Sequence, residues 1–492
     1  MKKALVVCLA LLMALPVFAA CESTNPSPAT TPVGNTDTTV APAQSTEYPF
    51  NDKTFDGYEF SILVTGNMEN MNDFEASEEA EDVVGSERYR WLLRTSEKYD
   101  ISIVDIAELK FNSTKGGGPG YNRLMQVYRT GDTTYDAAMI GTYDVAQLAR
   151  SNVLTDLNSI EGLNLQNEWW DQRANEDMTI HGRMFYTTGD ISLTDNQVTH
   201  CILFNKSLAK AIEDPYTLVK NDAWTFEKMS EMIREVSNDI DGNDVFDRND
   251  KYGLLTWNDS MLQFLASGRE RICSIDEDSN IVLTLYNERV VAMYDDYIEL
   301  AKDTRHVFNY QVGTSSSDWD PMRLAMFDEN RAMFYMTLFT TVPKHRDSEV
   351  DFGILPYPKY DETQSDYGHL ISSFHSQFLC VPAFFESEEI TASVLEYLAY
   401  TGKEQMTPAY YTKTLVGSHF RDEESGEMLD IIFASRVYDV GIYYNIGTYK
   451  DAIPKLYVGT GNVTLTKFYN AFLSKANKEL SNLNESYTNQ NN

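Results

Sequence analysis

The chain has 492 residues, enough for two domains. Its 74 Asp and Glu outnumber 40 Lys and Arg, for a formal charge of −34. A surface this acidic repels phosphate backbones and anionic headgroups, which argues against nucleic acid as a partner and leaves neutral ligands open.

Lys2 and Lys3 precede an apolar run from Ala4 to Phe18. A membrane span needs about 20 apolar residues, so residues 1–20 read as a signal peptide rather than an anchor helix. The run ends Phe18-Ala19-Ala20-Cys21, which resembles the lipobox of bacterial lipoproteins, with Phe18 where a branched aliphatic residue is usual. Lipidation at Cys21 is therefore expected; secretion with Cys21 free is the alternative. Residues 22–49 are mostly Ser, Thr, Pro, Ala and Asn and read as a flexible tether, because they offer too little apolar surface to offset ordering entropy. Diacylation would anchor such a chain stably, and no later apolar run approaches spanning length.

In the body, Tyr58–Val64 reads as a strand, Ser86–Tyr99 as a helix and Ile101–Val104 as a second strand. Gly116–Gly120 precedes a helix over 121–129, but no Lys-Ser/Thr pair follows, so it reads as a loop and not a phosphate cradle. Asp136–Ile140 is a short buried strand. Alternation of strand and helix predicts an α/β fold with a mostly parallel sheet. A second α/β region begins near residue 190, with a strand at 199–204, an amphipathic helix at 225–236 and a helix at 288–303. Strands at 351–356 and 378–381 and a helix at 392–400 complete it.

The loop Asp239 to Asp250 places oxygen side chains at EF-hand positions 1, 3, 5, 9 and 12 (Asp239, Asp241, Asn243, Asp247, Asp250), with the Val245 carbonyl at position 7. Asp244 replaces the usual Gly at position 6, and Asp250 the usual Glu at position 12. A structural Ca2+ is expected there; a solvated acidic turn is the alternative. Once Cys8 leaves with the signal, Cys201, Cys273 and Cys380 remain beside Cys21, without metal-site spacing. Three buried thiols are expected, with one bridge possible.

The order of pieces carries a resemblance. Tyr135-Asp136-Ala137-Ala138-Met139-Ile140, Ile202-Leu203-Phe204-Asn205-Lys206, Ala223-Trp224-Thr225-Phe226, Lys251-Tyr252-Gly253-Leu254, Arg331-Ala332-Met333-Phe334 and Asp351-Phe352-Gly353-Ile354-Leu355-Pro356 follow one another behind a lipobox. Over about Tyr58 to Asn445 the chain resembles the extracellular solute-binding proteins of ABC importers, the group that includes maltose-binding protein. The resemblance implies a periplasmic-binding-protein-like type II fold, two α/β lobes with a hinge and a ligand cleft. It implies crossovers near Gly189 and Ser373, a first lobe of 50–190 plus about 374–425, a second of 191–373 plus about 426–480, and a polar tail at 481–492. It also implies a monomer that closes on a solute and delivers it to a membrane permease, without catalysis.

A sugar needs flat aromatics for its C–H faces and polar groups for its hydroxyl rim. The resemblance points to Thr142, Tyr143 and Asp144 after the third strand, Trp170 and Asp195 around the first crossover, and Trp257 and Asn258 after the 252–255 strand. Trp319 in a polar stretch, Phe339 at a stacking position where sugar binders often carry Trp, and Phe374 with His375 at the second crossover complete the set. Each has a packing alternative. The rival functions are an exported glycoside hydrolase, for which no motif fixes a carboxylate pair, and a surface module for adhesion or sensing.

Overall fold

The computed structural model describes residues 50–68, 71–110, 112, 115–420, 422–456 and 463–488. The expected signal peptide, Cys21 and tether lie outside the described residues. Residues from Phe50 onward form one compact unit.

Two sheets organise this unit. The first has strand order β10–β3–β1–β2: β1 (Tyr58–Gly66) runs parallel to β2 (Ile101–Leu109) and to β3 (Ala137–Gly141), and β10 (Gln377–Cys380) lies antiparallel on β3. Residues 60–64 of β1 are buried, which suits a parallel sheet covered on both faces. The helix at 83–99 starts where Asp82 accepts the Gly85 N–H, and it buries Trp91, whose Nε1 donates to the Leu398 carbonyl at 2.9 Å. That bond ties it to the helix at 388–408. Gly120 lets the helix at 119–130 lie directly on this sheet, since a Cβ there would meet Thr65 Oγ1 at 2.4 Å and Ile140 Cγ2 at 2.8 Å.

The second sheet has the order β9–β4–β8–β6–β5, with β7 also on β6. Its strands are β4 (His200–Asn205), β5 (Ser237–Asn238), β6 (Lys251–Thr256), β7 (Val307–Asn309), β8 (Ala332–Leu338) and β9 (Phe352–Leu355). β6, β7 and β8 are parallel, while β4 is antiparallel to β8 and β9. All seven residues of β8 are buried, as befits a central strand. The helix at 226–234 is capped by Thr225 Oγ1 and buries Phe226, Met229, Met232 and Ile233; Val236, the last residue of the expected helix, lies beyond its end. Trp224 at its start is fully buried and donates to the Pro356 carbonyl at 2.9 Å.

The chain leaves the first sheet after β3, builds the second from His200 to Leu355, and returns at Gln377. The helix at 423–434 then packs on β9. Segments passing between the sheets converge. Thr199 bridges Ile371, Ser372 N–H donates to the Val198 carbonyl at 3.1 Å, and residues 369–370 pair with 436–437. Arg436, half-buried in this pairing, lies 2.8 Å from Asp171 and 3.1 Å from Asp195, and donates to Asn196 Oδ1 at 2.8 Å.

The polar tail expected from 481 is corrected. A helix runs from Leu465 to Thr488 and buries Leu480, Leu483 and Tyr487, spaced so that they share a face. Tyr487 bonds Tyr444 through their hydroxyls at 2.6 Å. Cys201, Cys273 and Cys380 are free, buried thiols. Among the described residues no helix is long and apolar enough to cross a membrane.

Candidate functional site

The parallel strands β6, β7 and β8 all end at one edge of the second sheet, and β4 starts there. In open α/β sheets such an edge is where ligands bind. Trp257 and Asp259 follow β6, Tyr310 and Gln311 follow β7, Thr340, Thr341 and Lys344 follow β8, and His200 opens β4. The helix at 319–328 brings Trp319, Asp320 and Arg323 from its first turns. Met68 and Met71, after β1, and Ser372, Phe374 and His375, at the return crossover, come from the other side. Together they enclose a cavity of ≈ 610 Å³, a size suited to a small ligand.

The aromatic wall is continuous. The His200 ring stacks on Trp257 with centroids 5.3 Å apart and planes 24° apart, and Tyr310 lies 6.3 Å beyond Trp257. Burial pushes His200 down to about 3, with His375 adding repulsion; burial also lowers His375 to about 4, helped by Arg323 and Lys344. Both rings are therefore neutral near pH 7. Arg323 Nε donates to Asp320 at 2.8 Å and its Nη1 to Thr341 Oγ1 at 3.1 Å and to the Tyr335 hydroxyl. Lys344 reaches the other Asp320 oxygen at 2.7 Å. Burial alone would raise the Asp320 carboxyl, but Lys344 and Arg323 outweigh it and hold it below its ordinary value. Trp319 Nε1 and His200 Nδ1 are buried atoms with no hydrogen-bond partner among the described residues. Buried polar atoms are normally satisfied, so both stand ready for a ligand.

A second cavity of ≈ 650 Å³ shares Asp259 and Gln311 with the first and continues along Asn258, Lys450, Asp451, Pro454 and Lys455. Lys450 Nζ donates to the Tyr143 hydroxyl at 2.5 Å and lies 4.9 Å from its ring centre; Lys115 lies 5.1 Å from the same ring.

Of the residues expected from the sequence, Trp257, Trp319, Phe374 and His375 meet in the first cavity and Asn258 lines the second. Tyr143 stands beside them, 6.3 Å from the Phe374 ring, holding Lys450. Five others, expected as ligand contacts, line neither cavity, and packing or internal bonds use their side chains. Thr142 Oγ1 is buried against Ser376, 3.2 Å from its carbonyl oxygen. Asp144 accepts from Gly117, Gly118 and Tyr121 N–H groups and so caps the helix at 119–130. Trp170 is 2 % exposed and donates to Glu396 at 3.2 Å. Asp195 pairs with Arg436. Phe339 is fully buried and stacks on Phe433 at 4.9 Å. The sequence reading missed His200, Tyr310, Arg323 and Lys344. Tyr310 follows a strand of only three residues, and Arg323 lies on a helix without a strong apolar stripe.

In the acidic loop, Asp239, Asp241 and Asp250 bring carboxylate oxygens within 4.8 Å of one another. Gly242 and Asp244 take left-handed conformations (φ 69° and 61°), and the Asn243 and Asp247 side chains accept from Val245 and Asn249 N–H groups. The three converging carboxylates fit a hard cation's oxygen preference.

No protein-family model and no curated protein matches the sequence. Solved structures match in fold. The galacto-N-biose/lacto-N-biose I-binding protein of the ABC transporter from Bifidobacterium longum, in complex with lacto-N-biose, superposes with a TM-score of 0.55 at 11% identity, covering 87% of this chain and 98% of that one. The fold is that of the two-lobed ABC solute-binding proteins. An ABC transporter solute-binding protein from Agrobacterium radiobacter in complex with ribitol gives 0.52 at 11% identity over 86% and 100% of the two chains. An extracellular solute-binding protein of family 1 from Alicyclobacillus acidocaldarius gives 0.51 at 10% identity over 88% and 99%.

Proposed function

We propose that this protein captures a saccharide between its two lobes and hands it, unaltered, to the membrane subunits of an ABC importer. The observation that carries the reading is the aromatic cavity at the strand ends, where Trp257, Tyr310 and Trp319 provide flat apolar surface beside Asp320, Arg323 and two unpartnered polar atoms. That mixture suits a sugar's faces and rim. Two proteins of the same fold are described in complex with lacto-N-biose and with ribitol. A bound sugar touching both sides would favour closure by its differential affinity for the closed state. The protein works as a monomer, exported and held at the outer face of the cytoplasmic membrane by lipid on Cys21.

Thermal shift of the purified protein against mono- and oligosaccharides tests the reading, with mass spectrometry of the recovered sugar. A shift with intact sugar is expected. Cleaved sugar would instead make the protein a glycoside hydrolase, and no shift with any saccharide would remove sugar capture.

A structural Ca2+ belongs to the same proposal. Asp239, Asp241 and Asp250 would hold it, with Asn243, Asp247 and the Val245 carbonyl as the remaining donors. The ion would neutralise converging carboxylates in the turn that leads into β6 and so toward Trp257.

A further inference from the structure

Charge along the two joined cavities departs from that of the chain. Overall, acidic residues outnumber basic ones 74 to 40. Along the cavities the order reverses: Arg323, Lys344, Lys450 and Lys455 face Asp259, Asp320 and Asp451, while His200 and His375 are neutral. The imbalance concentrates at the far end. Lys115 lies 2.8 and 2.9 Å from the two Asp451 oxygens and Lys450 lies 4.0 Å from one of them, so a single carboxylate serves both, with Lys455 nearby. Burial holds the Lys115 ammonium below its ordinary value, and Lys450 and Lys455 add to this against the pull of Asp451. Asp259 is the other acid in reach of Lys450, and it lines both cavities where they join. A protein with acids to spare has gathered cations at one end of its cleft, and a low-dielectric groove focuses their field on whatever enters.

We propose that the saccharide is acidic, its anionic group (carboxylate, sulfate or phosphate) docked at Lys450 and Lys455 while its rings extend past Asp259 toward Trp257 and Trp319. This rests on the saccharide reading above and narrows it. Lys455 is exposed at the mouth and supplies attraction at long range; Lys450 is fixed by Tyr143 and supplies a positioned donor.

The test uses the full chain and three matched pairs by calorimetry at low salt: digalacturonate against galactobiose, N-acetylglucosamine 6-sulfate against N-acetylglucosamine, and glucose 6-phosphate against glucose. At least one acidic member should bind about tenfold more tightly than its neutral partner, and the pair that responds identifies the anion. The preference should shrink several-fold in Lys455→Glu, whose ligand-free melting temperature checks folding, and in Lys450→Gln, and it should fall with added salt. Neutral sugars binding as well as acidic ones in every pair would overturn the acidic assignment and leave saccharide capture standing. An acid preference undiminished in both variants would place the anion elsewhere and overturn it too. Failure of all six sugars would remove both readings.

Discussion

His200 lies flat against Trp257, ring centres 5.3 Å apart. One opens a strand, the other follows a strand, and the stack lines the first cavity. Trp257 is thus held by the His200 ring and borders the cavity as a fixed surface, which lowers the entropic cost of stacking a ligand on it.

Trp257→Ala should weaken saccharide binding by about tenfold, on the order of 1–2 kcal/mol for a lost aromatic surface. Trp319→Phe keeps a ring and removes the unpartnered Nε1–H, so a smaller loss of about 1 kcal/mol is expected. Isothermal calorimetry on both variants measures the two contributions separately; equal affinities across wild type and variants would take the sugar out of this cavity.

Arg436 balances two buried carboxylates, Asp171 and Asp195, under the segments that connect the lobes. Arg436→Met should strand both and cost about 3–5 kcal/mol in urea unfolding. By contrast, Arg94→Met removes a surface pair with Glu404 and should cost no more than about 1 kcal/mol.

His369 is buried, accepts the Tyr357 N–H on Nε2 at 2.9 Å and faces Ser435 Oγ from Nδ1 at 2.8 Å. Burial, with His200 and Arg269 adding repulsion, lowers it to about 3, whereas the unfolded chain protonates it near pH 6.5. The unfolded state then binds the extra proton between these values, so this histidine's stabilisation is complete above pH 6.5 and is lost as pH falls toward 3. Wild-type minus His369→Gln stability should therefore rise by about 1.4 kcal/mol per pH unit through that window and level off above it. A pH-independent difference in unfolding free energy would show that the ring titrates normally.

Calcium should raise the melting temperature and chelator should lower it, through ligand binding to the folded state alone. Asp241→Asn, on the exposed part of the loop, should abolish most of that response while leaving the chelated protein's melting temperature nearly unchanged. A chelated wild type that melts as it does in calcium would reduce the loop to a solvated turn.

Much of the fold was legible in the sequence because its strands are apolar and its helices striped. The stripe Phe226, Met229, Met232, Ile233 and Val236 marks a helix that the structure places at 226–234, ending before Val236. The helix at 260–267 was not legible, since every residue in it is buried and no face is marked. The site was half legible. Trp257 and Phe374 follow from position in the chain. Asp144 and Asp195 share that positional logic yet serve a helix cap and a buried ion pair, because a carboxylate's partners come from segments distant in sequence, such as Arg436 for Asp195. Arg323 and Lys344 converge on one carboxylate only after the 319–328 helix folds over β8.

The distribution of tryptophans has a practical result. Trp91, Trp169, Trp170 and Trp224 are sealed in the interior, at 5 % exposure or less, whereas Trp257 and Trp319 border the cavity. Emission from the four interior indoles is insulated from what enters the groove. Any quenching or spectral displacement seen on titration therefore originates at two rings whose neighbours are known, and the protein serves as its own optical gauge of occupancy.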